Sequence, residues 1–252
     1  MSEESELEDG PEYRPADEIQ MWELPDALGH LAMFRGDPFL TMQATNLGLI
    51  DRWLIDVEAD VLQRLNEEER TPIDDAMFLS AQTQMWVFAA YEVMRTWRQR
   101  AKDVLKLVDN GGLKLKIKAL ERDLGYLHTG RSIRAGQLKE VHNDPTIAAK
   151  IEKDLRRIHI VFSQLESLRI SMAKHEVPGK PNMIAIAPGY GRIDSWTGSL
   201  KYEIGAGKYI LDYISRRDIS DNIRAIDHEN EPQTMDELKE FDQFMKGPSD
   251  LS

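Results

Sequence analysis

The most constraining stretch of this sequence opens at Thr71-Pro72 and closes at Asn110-Gly111-Gly112, and through it Trp86, Ala90, Val93, Trp97, Ala101, Val104 and Val108 recur at three- and four-residue steps. That period marks one apolar side of a helix. Thr71 is the expected N-cap and Pro72 the first helical residue, Asp74 and Asp75 sit where the helix dipole favours them, and Asn-Gly-Gly supplies the stop after Asp109. A helix of this length needs partners along its whole apolar side, which commits the chain to a helical bundle.

The other elements follow from the same spacing. Leu47, Ile50, Trp53/Leu54, Val57, Val61/Leu62 and Leu65 predict a helix from about Met42 to Asn66. A helix is expected from about Lys114 to Leu127, whereas Gly125, Gly130 and Gly136 leave residues 125–141 without an assigned element. Asp144 before Pro145 caps a predicted helix from Pro145 to Ala173 that carries Ile147, Ile151, Leu155, Ile158, Phe162, Leu165 and Leu168 on one side. Beyond Pro178 the pattern becomes extended, at Met183 to Ala187 and Arg192 to Ile204, with Thr197-Gly198 as a hairpin turn. A last core helix is expected from Lys208 to Ile226.

The expected fold is mainly α, a bundle of about five helices with a small β-hairpin (about 183–204) before the last core helix. One domain, 19–226, is flanked by an acidic disordered tail, 1–18, and an acidic C-terminal tail, 227–252. In the second tail Leu238, Phe241, Phe244 and Met245 suit a short docking helix. Residues 19–39 read as an arm of short turns lying on the bundle, anchored by Trp22, Leu24, Leu28, Leu31, Met33 and Phe34.

With 252 residues and 41% hydrophobic content the chain can bury a full core. It has no cysteine, which removes disulfide, thiolate and Cys-zinc chemistry. No apolar run is long enough to cross a bilayer and the N-terminus is acidic, so a soluble cytoplasmic protein is expected. His30, His128, His142, His159 and His228 have no ligand spacing and no His-Glu-x-x-His occurs, so no metal and no cofactor are expected. His159, inside an apolar run, reads as a core or interface histidine. Gly205-Ala-Gly207-Lys208 lacks the spacing and final Ser/Thr of a phosphate-binding loop and reads as a plain loop.

The net charge of −12 is unevenly spread. Residues 1–94 carry 5 Lys/Arg against 21 Asp/Glu, residues 95–180 carry 19 against 10, and residues 181–252 carry 8 against 13. A polyanion therefore has one basic third of the chain to meet. Surface charges that pair with each other across the bundle are the plainer reading of the same counts.

That basic third holds Arg169 and His175, with five residues between them, at the end of a long helical pattern. A histidine can move the 2′-hydroxyl or leaving-group proton of RNA near neutral pH, and an arginine can hold charge on the phosphoryl oxygens. Lys174 and Lys180 can hold adjacent phosphates, Tyr190 and Arg192 can reach over the site for base stacking, and Glu92 and Arg95 are supporting candidates within an apolar stretch. On an unbroken helix the two side chains would point to different faces, which calls for a bent helix end or a second copy of the site. The structural alternatives are an Arg169–Glu166 ion pair, a His175 that merely ends a helix, and a Glu92–Arg95 pair on a helix face.

The run Arg169-Ile-Ser-Met-Ala-Lys-His175 resembles the motif of the HEPN superfamily, helical-bundle proteins marked by Arg, four to six residues, then His. The order of parts is similar as well. The resemblance implies a metal-independent endoribonuclease or an RNA-binding effector in a toxin–antitoxin or anti-phage system, homodimeric, with the motif at the shared interface. Many members place Asn, Asp or His directly after the Arg, where this chain has Ile170. A competing expectation is a non-catalytic interaction protein whose acidic surfaces bind a protein partner, an antitoxin among the candidates.

Overall fold

The computed structural model describes residues 13–173, 191–206, 209–226 and 228–248. The fold is mainly α with a small three-stranded antiparallel sheet. Its axis is α3, Ile73–Asp109, which at about 1.5 Å per residue spans roughly 55 Å. Pro72 occupies the N-cap position in place of Thr71, Asp74 and Asp75 fill the first turn, and Gly111, at φ 67°, ends the helix while the Gly112 N–H closes on Leu107 O at 2.9 Å. Its core side, Trp86, Ala90, Val93, Trp97, Ala101 and Val104, is buried as the spacing required, while Val108, expected on the same side, is exposed at the helix end.

Helix α2, Pro38–Glu68, lies against α3 and starts earlier than the apolar period suggested, because the Asp37 carboxylate accepts from the Phe39 and Leu40 N–H groups at 3.1 Å with Pro38 in the first turn. The arm contains α1, Glu23–Gly29, and buries Leu24, Leu28, Leu31 and Phe34. Gly48 lets the arm approach α2: a Cβ there would stand 2.4 Å from Met21 O and 2.7 Å from Pro25 Cδ. The two buried indoles satisfy their N–H groups on backbone, Trp97 on Ala32 O at 2.8 Å and Trp86 on Leu47 O at 3.4 Å. Tyr13 and Arg14, placed in the N-terminal tail by composition, are bound, since Tyr13 donates to Asp218 at 2.6 Å and Arg14 to Glu23 at 2.7 Å.

Helices α4, Leu113–Glu121, and α5, Thr129–Asn143, pack on each other, and α5 fills the region the glycines had left open. The single helix expected from 145 to 173 is two, α6, Thr146–Arg157, and α7, His159–Ala173, divided at Ile158. Asp154 lies one turn before the division. Its fully buried carboxylate accepts from the Ala32 N–H at 2.8 Å and from Arg157 at 3.1 Å, tying the last turn of α6 to the arm, and the chain restarts as α7 along α3.

The helix expected over 208–226 begins instead as a strand. β1, Arg192–Ile193, pairs with β2, Leu200–Ala206, which pairs with β3, Tyr209–Ser215, in the order β1-β2-β3. The ladder registers Ile193 with Leu200 and Tyr202 with Ile214. The run Tyr-Ile-Leu-Asp-Tyr-Ile suits a pleated surface as well as a helix stripe, and β2 supplies the hydrogen-bonding partner that decides. The helix, α8, starts only at Arg216, behind a capping box made by Ser215 and Asp218, and ends at Arg224. The β1–β2 turn passes over α2 so closely that a Cβ on Gly198, at φ 74°, would fall 1.9 Å from Glu58 O. The extended piece expected over 183–187 lies outside the described residues. In the C-terminal region α9, Met235–Phe244, buries Leu238 and contacts α7.

Inside this frame α8 is fastened to α2 by ions. Arg216, with no exposed surface, donates to Glu58 through Nε at 2.9 Å and Nη2 at 2.5 Å and to Asp51 through Nη1. Ser199 Oγ donates to Glu58 at 2.8 Å, and Arg224 pairs with Asp51 and Asp221. Burial lowers Arg224 to about 10.

Candidate functional site: a basic strip between α3 and α7

Arg169 stands in the last part of α7, four residues from its end at Ala173. Its guanidinium lies 5.0 Å from the centroid of the Tyr91 ring on α3. Tyr91 is stacked on Phe162 of α7, with centroids 5.6 Å apart and planes 25° apart, and the Arg98 guanidinium lies 4.5 Å from the Phe162 centroid. Two cations thus rest on one pair of stacked rings. The expected Arg169–Glu166 ion pair is not formed, because Glu166 accepts the Tyr91 hydroxyl at 3.0 Å. Among the described residues neither Arg169 nor Arg98 has a carboxylate partner.

The strip continues along α3. Arg95, Arg98, Lys102 and Lys106 follow one another by three and four residues, which places them on one side of the helix, roughly 4.5 to 6 Å apart along the axis. Lys102 is held below the usual lysine range, first by partial burial and then by the Arg98 charge, with Glu166 opposing. Burial and the bond to Glu166 raise the Tyr91 phenol, while Arg169 and Arg95 pull it down. Arg98 and Lys102 also line a cavity of about 240 Å³ together with Arg156, His159, Lys239 and Asp242. There His159 Nε2 meets Asp242 Oδ1 at 2.7 Å, so this histidine is partly exposed and carboxylate-bound.

Chemically this is a line of like charges of which Arg98, Lys102 and Lys106 have no carboxylate partner among the described residues, while Arg95 is bound to Glu92, and such a line suits a chain of phosphates. Among the described residues no three His, Asp or Glu side chains converge as a metal site.

Of the residues singled out in the sequence, Lys174, His175, Lys180 and Tyr190 lie outside the described residues. Arg192 opens β1, exposed, opposite Lys201 in the ladder, and makes no bond to the α3–α7 strip among the described residues. Arg95 donates to Glu92 at 2.7 and 3.0 Å, an exposed pair three residues apart on α3, as the plainer reading had it. A pair so exposed adds about 1 kcal/mol or less. Tyr91, Phe162, Arg98 and Lys102 were missed. The regular spacing of the α3 cations was a signal already present in the sequence, whereas nothing local announced that the Tyr91 and Phe162 rings would meet.

The described residues contain no helix long and apolar enough to cross a membrane. Comparison with protein-family models, with curated proteins and with solved structures finds no match.

Proposed function

We propose that the chain is a HEPN-like RNA-binding protein that cuts RNA without a metal ion, acting in the cytoplasm as a toxin or anti-phage effector. The observation that carries this reading is the state of Arg169, whose guanidinium is held by the Tyr91 ring and not by a carboxylate, at the end of the helix that leads toward His175. Its charge remains available to a phosphate. The cations at 98, 102 and 106, without a carboxylate partner among the described residues, extend that availability along α3 at steps of roughly 6 Å.

In the proposed reaction Arg169 holds the non-bridging oxygens of the scissile phosphate. His175 takes the proton of the 2′-hydroxyl, whose oxygen bonds to phosphorus as the bond to the 5′-oxygen breaks, and the leaving 5′-oxygen receives a proton from the histidine of a second copy. The products are a 2′,3′-cyclic phosphate and a 5′-hydroxyl. A homodimer supplies the second histidine and brings two copies of the segment together.

The test is RNA incubated with purified protein in chelator, with Arg169→Ala, His175→Ala and Arg98→Ala/Lys102→Ala beside wild type. Expected are cyclic-phosphate products from wild type, a loss of about 100-fold or more in cutting for each of the first two variants, and weakened RNA binding in the third. Wild type that binds RNA but leaves it intact removes the nuclease and keeps the binding protein. Wild type that does neither removes both.

A second reading, a protein-binding module, is favoured by the apolar side chains Phe39, Met42, Trp53, Met77 and Met85 that α2 and α3 leave exposed.

A further inference from the structure

Four helices meet around the cavity of about 240 Å³ beside His159. Helix α3 contributes Arg98 and Lys102 to its wall, α6 contributes Arg156, α7 contributes His159, and α9 contributes Lys239 and Asp242. Four cations and an imidazole thus face one carboxylate. What each of them is bound to decides how much charge is left. Arg98 lies on the Phe162 ring, and neither it nor Lys102 forms an ion pair with a described residue. Arg156 Nη1 donates to Gln233 O at 3.2 Å, a carbonyl that leaves the guanidinium charge unmatched. Lys239 has a carboxylate, Asp236 at 2.9 Å, but in an exposed pair on one turn of α9. Such a pair adds about 1 kcal/mol or less. Asp242, the carboxylate of the wall, is taken up by His159 Nε2 at 2.7 Å.

Keeping Arg98 beside Lys102 with no counter-ion costs free energy, and Lys102 is accordingly held below the usual lysine range by partial burial and by the Arg98 charge. An anion entering the cavity removes that cost. The donors indicate which anion. Two guanidinium forks and an ammonium offer more N–H groups than the two oxygens of a carboxylate can accept, whereas a phosphate group brings three terminal oxygens and up to two charges. The rest of the wall is apolar, made by Leu155, Leu238 and Met235, the last 58% exposed. Such a wall suits the carbon body of an ester. His159 is fixed for a ligand from two sides, by Asp242 on Nε2 and by the Phe241 ring set edge-on at 6.4 Å, and its Nδ1 makes no hydrogen bond to a described residue.

We propose that the cavity between α3, α6, α7 and α9 is a binding site for a phosphate monoester. The phosphate group lies on Arg98, Lys102 and Arg156, and the carbon body of the ester lies against Leu155 and Met235. His159, oriented by Asp242, is a further polar contact through Nδ1. The inference rests on the lining of this cavity and not on the RNA reading, so a chain that neither cuts nor binds RNA can still hold the ester.

The test is isothermal titration of the full chain with phenyl phosphate, beside benzoate, which carries the same ring on a carboxylate. Phenyl phosphate is expected to bind at one site per chain and benzoate about tenfold more weakly or not at all. Lys102→Gln, at an exposed position, should weaken phenyl phosphate about tenfold with an unchanged melting temperature. Lys116→Gln, the same charge change at an exposed position on α4, should leave it unaltered. In NMR spectra phenyl phosphate should shift the imidazole signals of His159 and not those of His30 and His228, which line a separate cavity. The proposal is overturned if phenyl phosphate does not bind, if benzoate binds as tightly, if the His159 signals stay in place, or if Lys116→Gln weakens binding as much as Lys102→Gln. Trinucleotide competitors identify the source of the phosphate. Displacement of phenyl phosphate by a 5′-phosphorylated trinucleotide and not by its 5′-hydroxyl counterpart assigns the site to an RNA end, and displacement by neither assigns it to a free monoester. Equal displacement by both overturns the proposal, since internal phosphates then suffice.

Discussion

Arg169 and Tyr91 form a cation–ring pair 5.0 Å apart, and the same ring holds Glu166 by its hydroxyl at 3.0 Å. Tyr91 therefore keeps a carboxylate engaged that stands three residues from Arg169 on α7, within reach on a helix surface. Its ring face gives the arginine a seat, and its hydroxyl occupies the arginine's nearest competitor for a phosphate.

Tyr91→Phe keeps the ring and frees Glu166, which is expected to turn to Arg169 and lower RNA affinity about fivefold, the equivalent of about 1 kcal/mol for one exposed charge pair. Glu166→Gln should act in the opposite direction. Filter binding at fixed salt measures both. Equal affinities for wild type and both variants would show that Glu166 does not compete for Arg169.

The Arg216–Glu58 pair makes a stability prediction. Arg216→Met removes the donor from a fully buried carboxylate and should cost about 3–5 kcal/mol in urea unfolding. Arg216→Met with Glu58→Met should cost less than the single change, because the orphaned charge leaves with its partner. If the double variant is the less stable of the two, the pair contributes more than the removal of its own orphan.

His228 should give the protein a pH dependence on the acid side. Burial lowers its pKa from the ordinary 6.5, and the bond to Ala27 O at 3.1 Å and the Asp154 charge oppose that shift. The folded state thus binds the proton less readily than the unfolded chain. Its contribution to stability is complete above about pH 6.5 and is lost as pH falls from there through the folded value. Urea midpoints measured across that range should decline for wild type, and His228→Gln should flatten the decline. An unchanged slope would assign the acid sensitivity to other groups.

Much of the bundle was legible because helices announce themselves locally. The apolar period of α3, its Asn-Gly-Gly stop and the break after α2 all depend on neighbours within a few residues. The division at Ile158 and the strand at 209–215 were not legible. At the first the apolar period runs on unbroken through Ile158, and the second depends on β2 lying alongside to take up backbone hydrogen bonds. Asp51 and Glu58, seven residues apart on the buried side of α2 beside Leu47, Leu54 and Val61, were a readable sign of an internal cation.

By itself the sequence determined the helical class, the length and core side of α3, the basic middle third of the chain and the Arg169 to His175 spacing, because composition and period act within a single segment. Only the tertiary structure decided that Arg169 would sit on Tyr91 and Arg98 on Phe162, and that α2 and α3 would leave apolar side chains such as Phe39, Met42, Met77 and Met85 uncovered. Those outcomes depend on which helix faces meet, and a packing contact between residues more than 60 positions apart, such as Arg98 and Phe162, has no signature in either segment alone.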